Sequence, residues 1–166
     1  GLHIEDQFNP KRCGHLDGKN VVDLDTATKR IRAAADARRD PNFLIMARTD
    51  IRAVDGLQAA QDRAKALVDA GADAIFPEAM ADLDEFQAIR DAVDVPILAN
   101  MTEFGKSALF TTDQLQAAGV NMVIYPVTLL RSAMGAAERT LDSIKADGTQ
   151  EAQVTGMLTR ARLYEL

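Results

Sequence analysis

The chain has 166 residues, 47% hydrophobic and 27% charged, enough for one globular domain with a core of its own. A net charge of −6 argues against a nucleic-acid surface, which needs a basic face, and no apolar run approaches the roughly 20 residues of a membrane span. A single cysteine closes no internal disulfide and no signal-peptide pattern opens the chain, so a reducing cytoplasm is the expected compartment.

Short apolar runs alternate with amphipathic stretches. Leu2–Ile4 reads as a first strand, with His3 as a packed or hydrogen-bonded member, and Phe43–Ala47 as a second. Leu57, Ala60, Ala64, Leu67 and Val68 then share one helical face. Gly71 stands where a helix ends in a left-handed residue, before a third strand at Ala74–Phe76. Leu83, Phe86, Ile89 and Val93 mark a further helix, and Pro96–Ala99 a fourth strand. Thr111 and Gln114 have the spacing of a capping box; Gly119 repeats the helix-end signal before a fifth strand at Met122–Tyr125. The segments AGADAIFP (70–77) and AGVNMVIY (118–125) share this pattern and suggest a repeated unit. Val154, Met157, Leu158, Ala161 and Tyr164 keep a helical spacing over 150–166.

Strands apolar on both faces, separated by helices, describe an α/β protein with a parallel sheet. Five strands fit a flavodoxin-like sheet. They also fit the later part of a (β/α)8 barrel, which usually needs about 250 residues, so the barrel requires opening strands outside this sequence. The first residues already read as strand and the last as helix, as in a chain cut at both ends.

In either architecture ligands collect at the carboxyl ends of the strands. Those ends carry Glu5 and Asp6; Arg48, Thr49 and Asp50; Glu78; Asn100 and Thr102; and Tyr125-Pro126, with Arg131 one turn into the next helix. Carboxylates suit a hard cation such as Mg2+, and arginines and amides suit a substrate bearing several carboxylates. Taken singly, each has an ordinary alternative. A buried structural pair between Arg48 and Asp50 accounts for that arginine as well as a ligand does, and Glu103 and Lys106 read as surface charges. Convergence on one end of the strands favours a site.

The segment KRCGH (11–15) holds the only cysteine. Cys13 lies among Pro10, Lys11, Arg12, Gly14 and His15, outside any apolar periodic stretch, and nearby cations favour a thiolate. From these residues alone it is a nucleophile, a general acid or a reactive surface thiol.

The segments GLHIEDQ, KRCGH, IMARTD, FPE, PILANMTEFG and the YP–R stretch, in this order and spacing, resemble the methylisocitrate lyases of the isocitrate lyase and phosphoenolpyruvate mutase superfamily. Isocitrate lyases carry a related cysteine segment but tend to have a serine-rich one where this chain has Asn100-Met101-Thr102-Glu103-Phe104-Gly105. The resemblance implies a (β/α)8 TIM-type barrel, here about five strands in one partial domain, 1–166. It implies a cytoplasmic homotetramer with helix exchange when full length, and Mg2+-dependent cleavage of the tricarboxylate 2-methylisocitrate to pyruvate and succinate in propionate catabolism. Carried over, it makes Cys13 the proton donor, with Glu5 and His15 as further catalytic candidates. Cys13, Gly14, Arg48, Glu78, Asn100, Met101, Thr102, Arg131 and Arg160 would contact substrate. Glu5 would lie near the metal, whose main ligands are expected in strands preceding Leu2. Readings left beside it are an isocitrate or dimethylmalate-type lyase and a non-catalytic carboxylate-binding fragment.

Overall fold

A computed structural model describes residues 1–13 and 18–166. Residues 1–126 and 127–166 form two compact units, taken here in turn.

The first unit alternates strand and helix throughout: β1 (Leu2–Glu5), α1 (Leu24–Ala37), β2 (Ile45–Thr49), α2 (Arg52–Asp69), β3 (Ala74–Pro77), α3 (Leu83–Ala92), β4 (Leu98–Asn100), α4 (Thr112–Ala117) and β5 (Met122–Ile124). β1, β2 and β3 pair in parallel, as do β4 and β5, and an Ile75–Ile97 bridge joins the two sets. Among the described residues each strand lies beside the next in sequence, with no strand inserted between neighbours. That order is the arc of a (β/α)8 barrel, in which successive strand–helix units add along one direction. A flavodoxin-like sheet would instead reverse direction near its first strand.

The two faces of the strands pack differently. Ile45 is fully buried, and Ala47, Ile75, Ile97 and Ala99 pack under the helices with Ile31 of α1, Ala60, Ala64 and Leu67 of α2, Phe86 and Ile89 of α3 and Leu115 of α4. The other face carries a smaller cluster of Met46, Ala74, Phe76 and Leu98. Both faces are apolar, which is why these strands read as continuous hydrophobic runs. His3, expected to be packed or hydrogen-bonded, belongs to this second face and meets Phe76 edge-on, ring centroids 6.0 Å apart, but it is exposed.

β2 runs two residues later than the apolar run Phe43–Ala47. Asp40 turns the chain by accepting from the Asn42 amide, leaving Phe43 partly exposed, and pairing continues through polar Arg48 and Thr49. β4 likewise begins after Pro96, whose carbonyl accepts from Ile75. The helix α1 carried no expectation; Asp23 caps it by accepting from the Thr26 amide.

The repeat is a working unit. After α2 and α4, Gly71 and Gly119 take positive φ of 108° and 82°, and the following amides (Ala72, Val120) close back onto Leu67 and Leu115. The next residue then caps a strand start: an Asp73 carboxylate oxygen accepts from the Ile45 amide at 2.8 Å, and the Asn121 side-chain oxygen from Ile97 at 3.0 Å. Thr111 and Gln114 form the expected capping box.

In the second unit, α5 (Thr128–Asp147) ends at left-handed Gly148 and is followed by a 3-10 helix, Glu151–Gly156, and α6 (Arg160–Tyr164). No residue of these three elements is buried, and Leu129, Leu130, Met134 and Leu141 are all exposed.

A Cβ at Gly71 would sit 2.8 Å from the Ala35 Cβ of α1, with an unfavourable φ besides. Gly71→Ala is expected to cost about 1–3 kcal/mol, measured by urea titration; a change below about 0.5 kcal/mol would contradict this packing.

Candidate functional site

The register places chemistry at the carboxyl ends. Glu5 pairs level with Arg48, and Arg48 with Phe76, so these side chains share the second face; Glu78, two residues beyond Phe76, and Asn100 continue it. Arg48 is the centre. Its Nε donates to Asp50 Oδ2 at 3.0 Å and its Nη2 to Asp50 Oδ1 at 3.3 Å. Nη2 also lies 3.1 Å from Glu78 Oε2, Nε 3.4 Å from Glu5 Oε2, and the guanidinium stacks 5.0 Å from the Phe76 ring centre.

Three carboxylates therefore share one guanidinium. Burial works against the Arg48 charge, but the Asp50 hydrogen bond and the charges of Glu78, Asp50 and Glu5 outweigh it, and its pKa is raised. Asp50 is fully buried, which pushes its carboxyl up. The bonds and charges of Arg48 and Lys19 prevail and hold it below the usual carboxylate range. Glu78, also buried, accepts through Oε1 from the Ala79 amide at 3.1 Å and from Asn100 Nδ2 at 3.4 Å. Ala79 holds a positive φ of 58° there, a conformation non-glycine residues adopt at a cost and which clusters at functional sites.

Behind this face lies a second set of buried polar groups. Asp6 accepts from Thr49 Oγ1 at 2.6 Å, the Asp50 amide at 3.0 Å and Arg63 Nη1 at 3.0 Å, and Lys19 reaches Asp50 Oδ1 at 3.2 Å. Sequence reading assigned no role to Lys19 or Arg63. For Arg63 a signal existed: it falls on the apolar stripe of α2, between Ala60 and Leu67 and beside Ala64, where an arginine needs a buried partner.

The cysteine segment is tied to the cluster at its start. Gln7 Nε2 donates to the Arg12 carbonyl and accepts at Oε1 from the Arg12 amide, both at 2.9 Å. Lys11 Nζ meets Glu5 Oε1 at 3.0 Å. Cys13 is exposed. Gly14 and His15 lie outside the described residues. Thr102 is half-buried and opens the loop after β4. Met101 packs in the helix-side core, because alternate strand residues face opposite sides, and its side chain is turned from the cluster. Arg131 and Arg160 are exposed in the 127–166 unit. Glu5, Arg48, Glu78 and Asn100 are thus the expected residues that come together.

Two buried oxygens among the described residues, Glu5 Oε2 and Asn100 Oδ1, have no hydrogen-bond partner. Asn100 Oδ1 is placed to accept from a ligand donor or a cation, while Glu5 Oε2 already lies in the ion pair with Arg48 at 3.4 Å. No group of three or more His, Cys, Asp or Glu side chains among the described residues is placed to share a metal ion. Mg2+ often takes only one or two carboxylates and keeps waters, so the oxygen donors here suit a partial contribution to such an ion. A mostly apolar groove of about 410 Å3 lies elsewhere, lined by Leu2, Ala34, Ala37 and Ile45 among others; it offers no such constellation.

Asp50 supplies a test in acid. Its folded pKa is depressed, so its stabilisation is complete above the ordinary value of 3.8 and is lost as pH falls from there through the lower folded value. Asp50→Asn should cost roughly 3 kcal/mol at neutral pH by leaving Arg48 and Lys19 short of a buried partner. The gap to the parent should narrow below about pH 4. A gap independent of pH would show that the Asp50 charge is not what matters.

The family model described as phosphoenolpyruvate phosphomutase matches residues 1–145. A probable 2-methylisocitrate lyase 1 of Corynebacterium glutamicum is 58% identical over 167 residues, covering 100% of this chain and 55% of the relative. The 2-methylisocitrate lyase of Salmonella typhimurium is 53% identical over 164 residues, covering 99% and 56%. The chain spans about half the length of the curated relatives it matches. Among solved structures, oxaloacetate acetylhydrolase in complex with the inhibitor 3,3-difluorooxalacetate superposes with TM-score 0.86 at 34% identity, over 98% of this chain and 55% of that one. Phosphonopyruvate hydrolase, complexed with oxalate and Mg2+, superposes with TM-score 0.77 at 28% identity, over 98% and 56%. With a parallel α/β arc, polar groups gathered at its strand ends and a family model spanning most of its length, the chain belongs to the phosphoenolpyruvate phosphomutase family.

Proposed function

We propose that the protein to which this chain belongs is a Mg2+-dependent carbon–carbon lyase that cleaves 2-methylisocitrate to pyruvate and succinate in propionate catabolism. The observation that carries this reading is that relatives more than half identical over essentially the whole chain bear that name. The strand-end cluster supplies one guanidinium for a substrate carboxylate and carboxylates as candidate base and metal contributors.

The substrate brings three carboxylates and an alcohol. Cleavage removes the alcohol proton and breaks the adjacent C–C bond, whose electrons pass to the carbon that becomes part of succinate. Arg48 is permanently cationic and presents several donors at the strand ends, so a substrate carboxylate can bond it beside the carboxylates it already pairs. Arg131 and Arg160 are assigned to the remaining carboxylates, with Asn100 and Thr102 as hydrogen-bonding groups and Gly14 at the substrate. Cys13 donates the Sγ proton to the carbanion, a general-acid role that requires the thiol form, with His15 tuning it. Glu5 or Glu78 is the candidate base for the alcohol proton; Glu5 is the less buried of the two. Glu5 would also contribute to holding Mg2+, which when bound would supply Lewis-acid stabilisation to the oxygen-bearing half. The same reading makes the full-length protein a cytoplasmic homotetramer with an exchanged helix.

The test is an assay of the full-length protein with Mg2+, following pyruvate from 2-methylisocitrate and glyoxylate from isocitrate. Pyruvate as the faster product is expected. Faster glyoxylate makes the protein an isocitrate lyase, and neither product overturns the reading. In the active enzyme Cys13→Ser should lower kcat by about 10²-fold or more, since the hydroxyl is a far weaker acid. Undiminished kcat would remove the acid role from Cys13.

A further inference from the structure

The buried pair Asp6–Arg63 occupies the helix side of the sheet, away from the face that carries Arg48. Its bonds nonetheless reach every segment that the site uses at β1 and β2. Arg63 is 8% exposed, and its Nη1 donates to Asp6 Oδ2 at 3.0 Å and to the Val22 carbonyl at 2.9 Å. The Val22 amide returns a bond to the Asp6 carbonyl at 2.7 Å, closing a ring. Asp6 precedes the cysteine segment and Val22 follows it. Gln7 pairs with Val21 as an antiparallel bridge, and Phe8 N donates to the Asn20 carbonyl at 3.1 Å. The guanidinium thus clamps both ends of the stretch that includes Cys13. Through its carboxylate, Asp6 also holds Thr49 Oγ1 and the Asp50 amide, fixing the turn whose carboxylate grips Arg48 and Lys19.

We propose that Arg63 is a positioning residue for the reaction, setting the relative placement of the Cys13 segment and Arg48 through Asp6. This rests on the lyase reading for its kinetic consequence, though the placement itself can be read without it. A fold-only role for the pair predicts lost stability and nothing more. A positioning role predicts that molecules which remain folded are altered at two distant places. Three features favour the second. The guanidinium spends its bonds on the base of one loop and on a carboxylate that receives the end of β2. Asp6 takes three donors from two other elements. The alternative for a helix position between Ala60 and Leu67 is an ordinary apolar side chain, with no buried charge to satisfy.

The test uses Arg63→Met and Arg63→Lys in the full-length protein, well below each variant's melting temperature. Cys13 is the only cysteine in this chain, and its rate of alkylation by iodoacetamide is read in this chain and its variants directly. In the full-length enzyme, kcat and KM for 2-methylisocitrate are read separately. Arg63→Met is expected to lower kcat by about 10- to 100-fold, by analogy with the loss of outer-shell groups that orient metal ligands. KM should move by less, and the Cys13 alkylation rate should change by at least about threefold. Arg63→Lys, which keeps a charged nitrogen but not the rigid guanidinium that holds Nη1 between Asp6 and Val22, should recover part of each effect. If Arg63→Met does not fold, Arg63→Lys carries the test, with kcat and alkylation both intermediate between parent and loss. Parental kcat and alkylation in folded Arg63→Met, whatever its melting temperature, would overturn the proposal, as would parental values in Arg63→Lys should that be the only folded variant. Absence of lyase activity in the parent sinks the lyase reading alone; a changed alkylation rate would still support the clamp and an unchanged one would overturn it.

Discussion

One guanidinium holds the strand ends together. Arg48 sits between Glu5, Asp50 and Glu78, drawn from β1, the end of β2 and the end of β3, and it stacks on Phe76 below them. Without it three carboxylates would face one another in a poorly solvated place, and mutual repulsion would drive the strand ends apart or protonate one of them. With it, the cluster is cohesive yet rich in acceptors. The forked donors of such a guanidinium can hold a ligand carboxylate beside the chain's own, so that the same cation serves strand ends and ligand. That shared cation is the physical link between the fold and the lyase reading.

The fold makes the arrangement possible by giving the strands two unlike faces. Helices cover one with alanine, isoleucine and leucine, and there the buried polar pair Asp6–Arg63 is the exception. The other face narrows from Met46, Ala74 and Phe76 to the charged ends. Period-two alternation along β2 and β3 then sends Met46, Arg48 and Asp50 one way and Ala47 and Thr49 the other. Thr49 is buried toward Asp6, and Arg48 toward the site, so a single dipeptide serves both networks.

Much of this was legible in the sequence, for identifiable reasons. Apolar runs between helical patterns gave the parallel α/β class, and the glycine-led repeats marked real strand caps at Asp73 and Asn121. The motif order gave the family. Strand ends were less legible. β2 continues into Arg48 and Thr49 because pairing with β1 and β3 satisfies the backbone whatever the side chain, so hydropathy stops two residues early. His3 was read as packed or hydrogen-bonded; it meets Phe76 edge-on but is exposed. Lys19 stands in no apolar or periodic pattern that would single it out; only the tertiary fold shows that it is buried against Asp50. Arg48 was open between a structural pair with Asp50 and a ligand contact; the structure shows the pair, and the ligand contact belongs to the proposal.

The most direct test of the Arg48-centred account is equilibrium binding of succinate to the full-length protein in the presence of Mg2+, compared with Arg48→Lys by calorimetry. A lysine keeps the charge but cannot grip a ligand carboxylate and the chain's own carboxylates at once. The account predicts at least about tenfold weaker binding, about 1.4 kcal/mol, in a variant that remains folded. Unchanged affinity would mean that the ligand's carboxylates are held elsewhere and that Arg48 serves the fold alone.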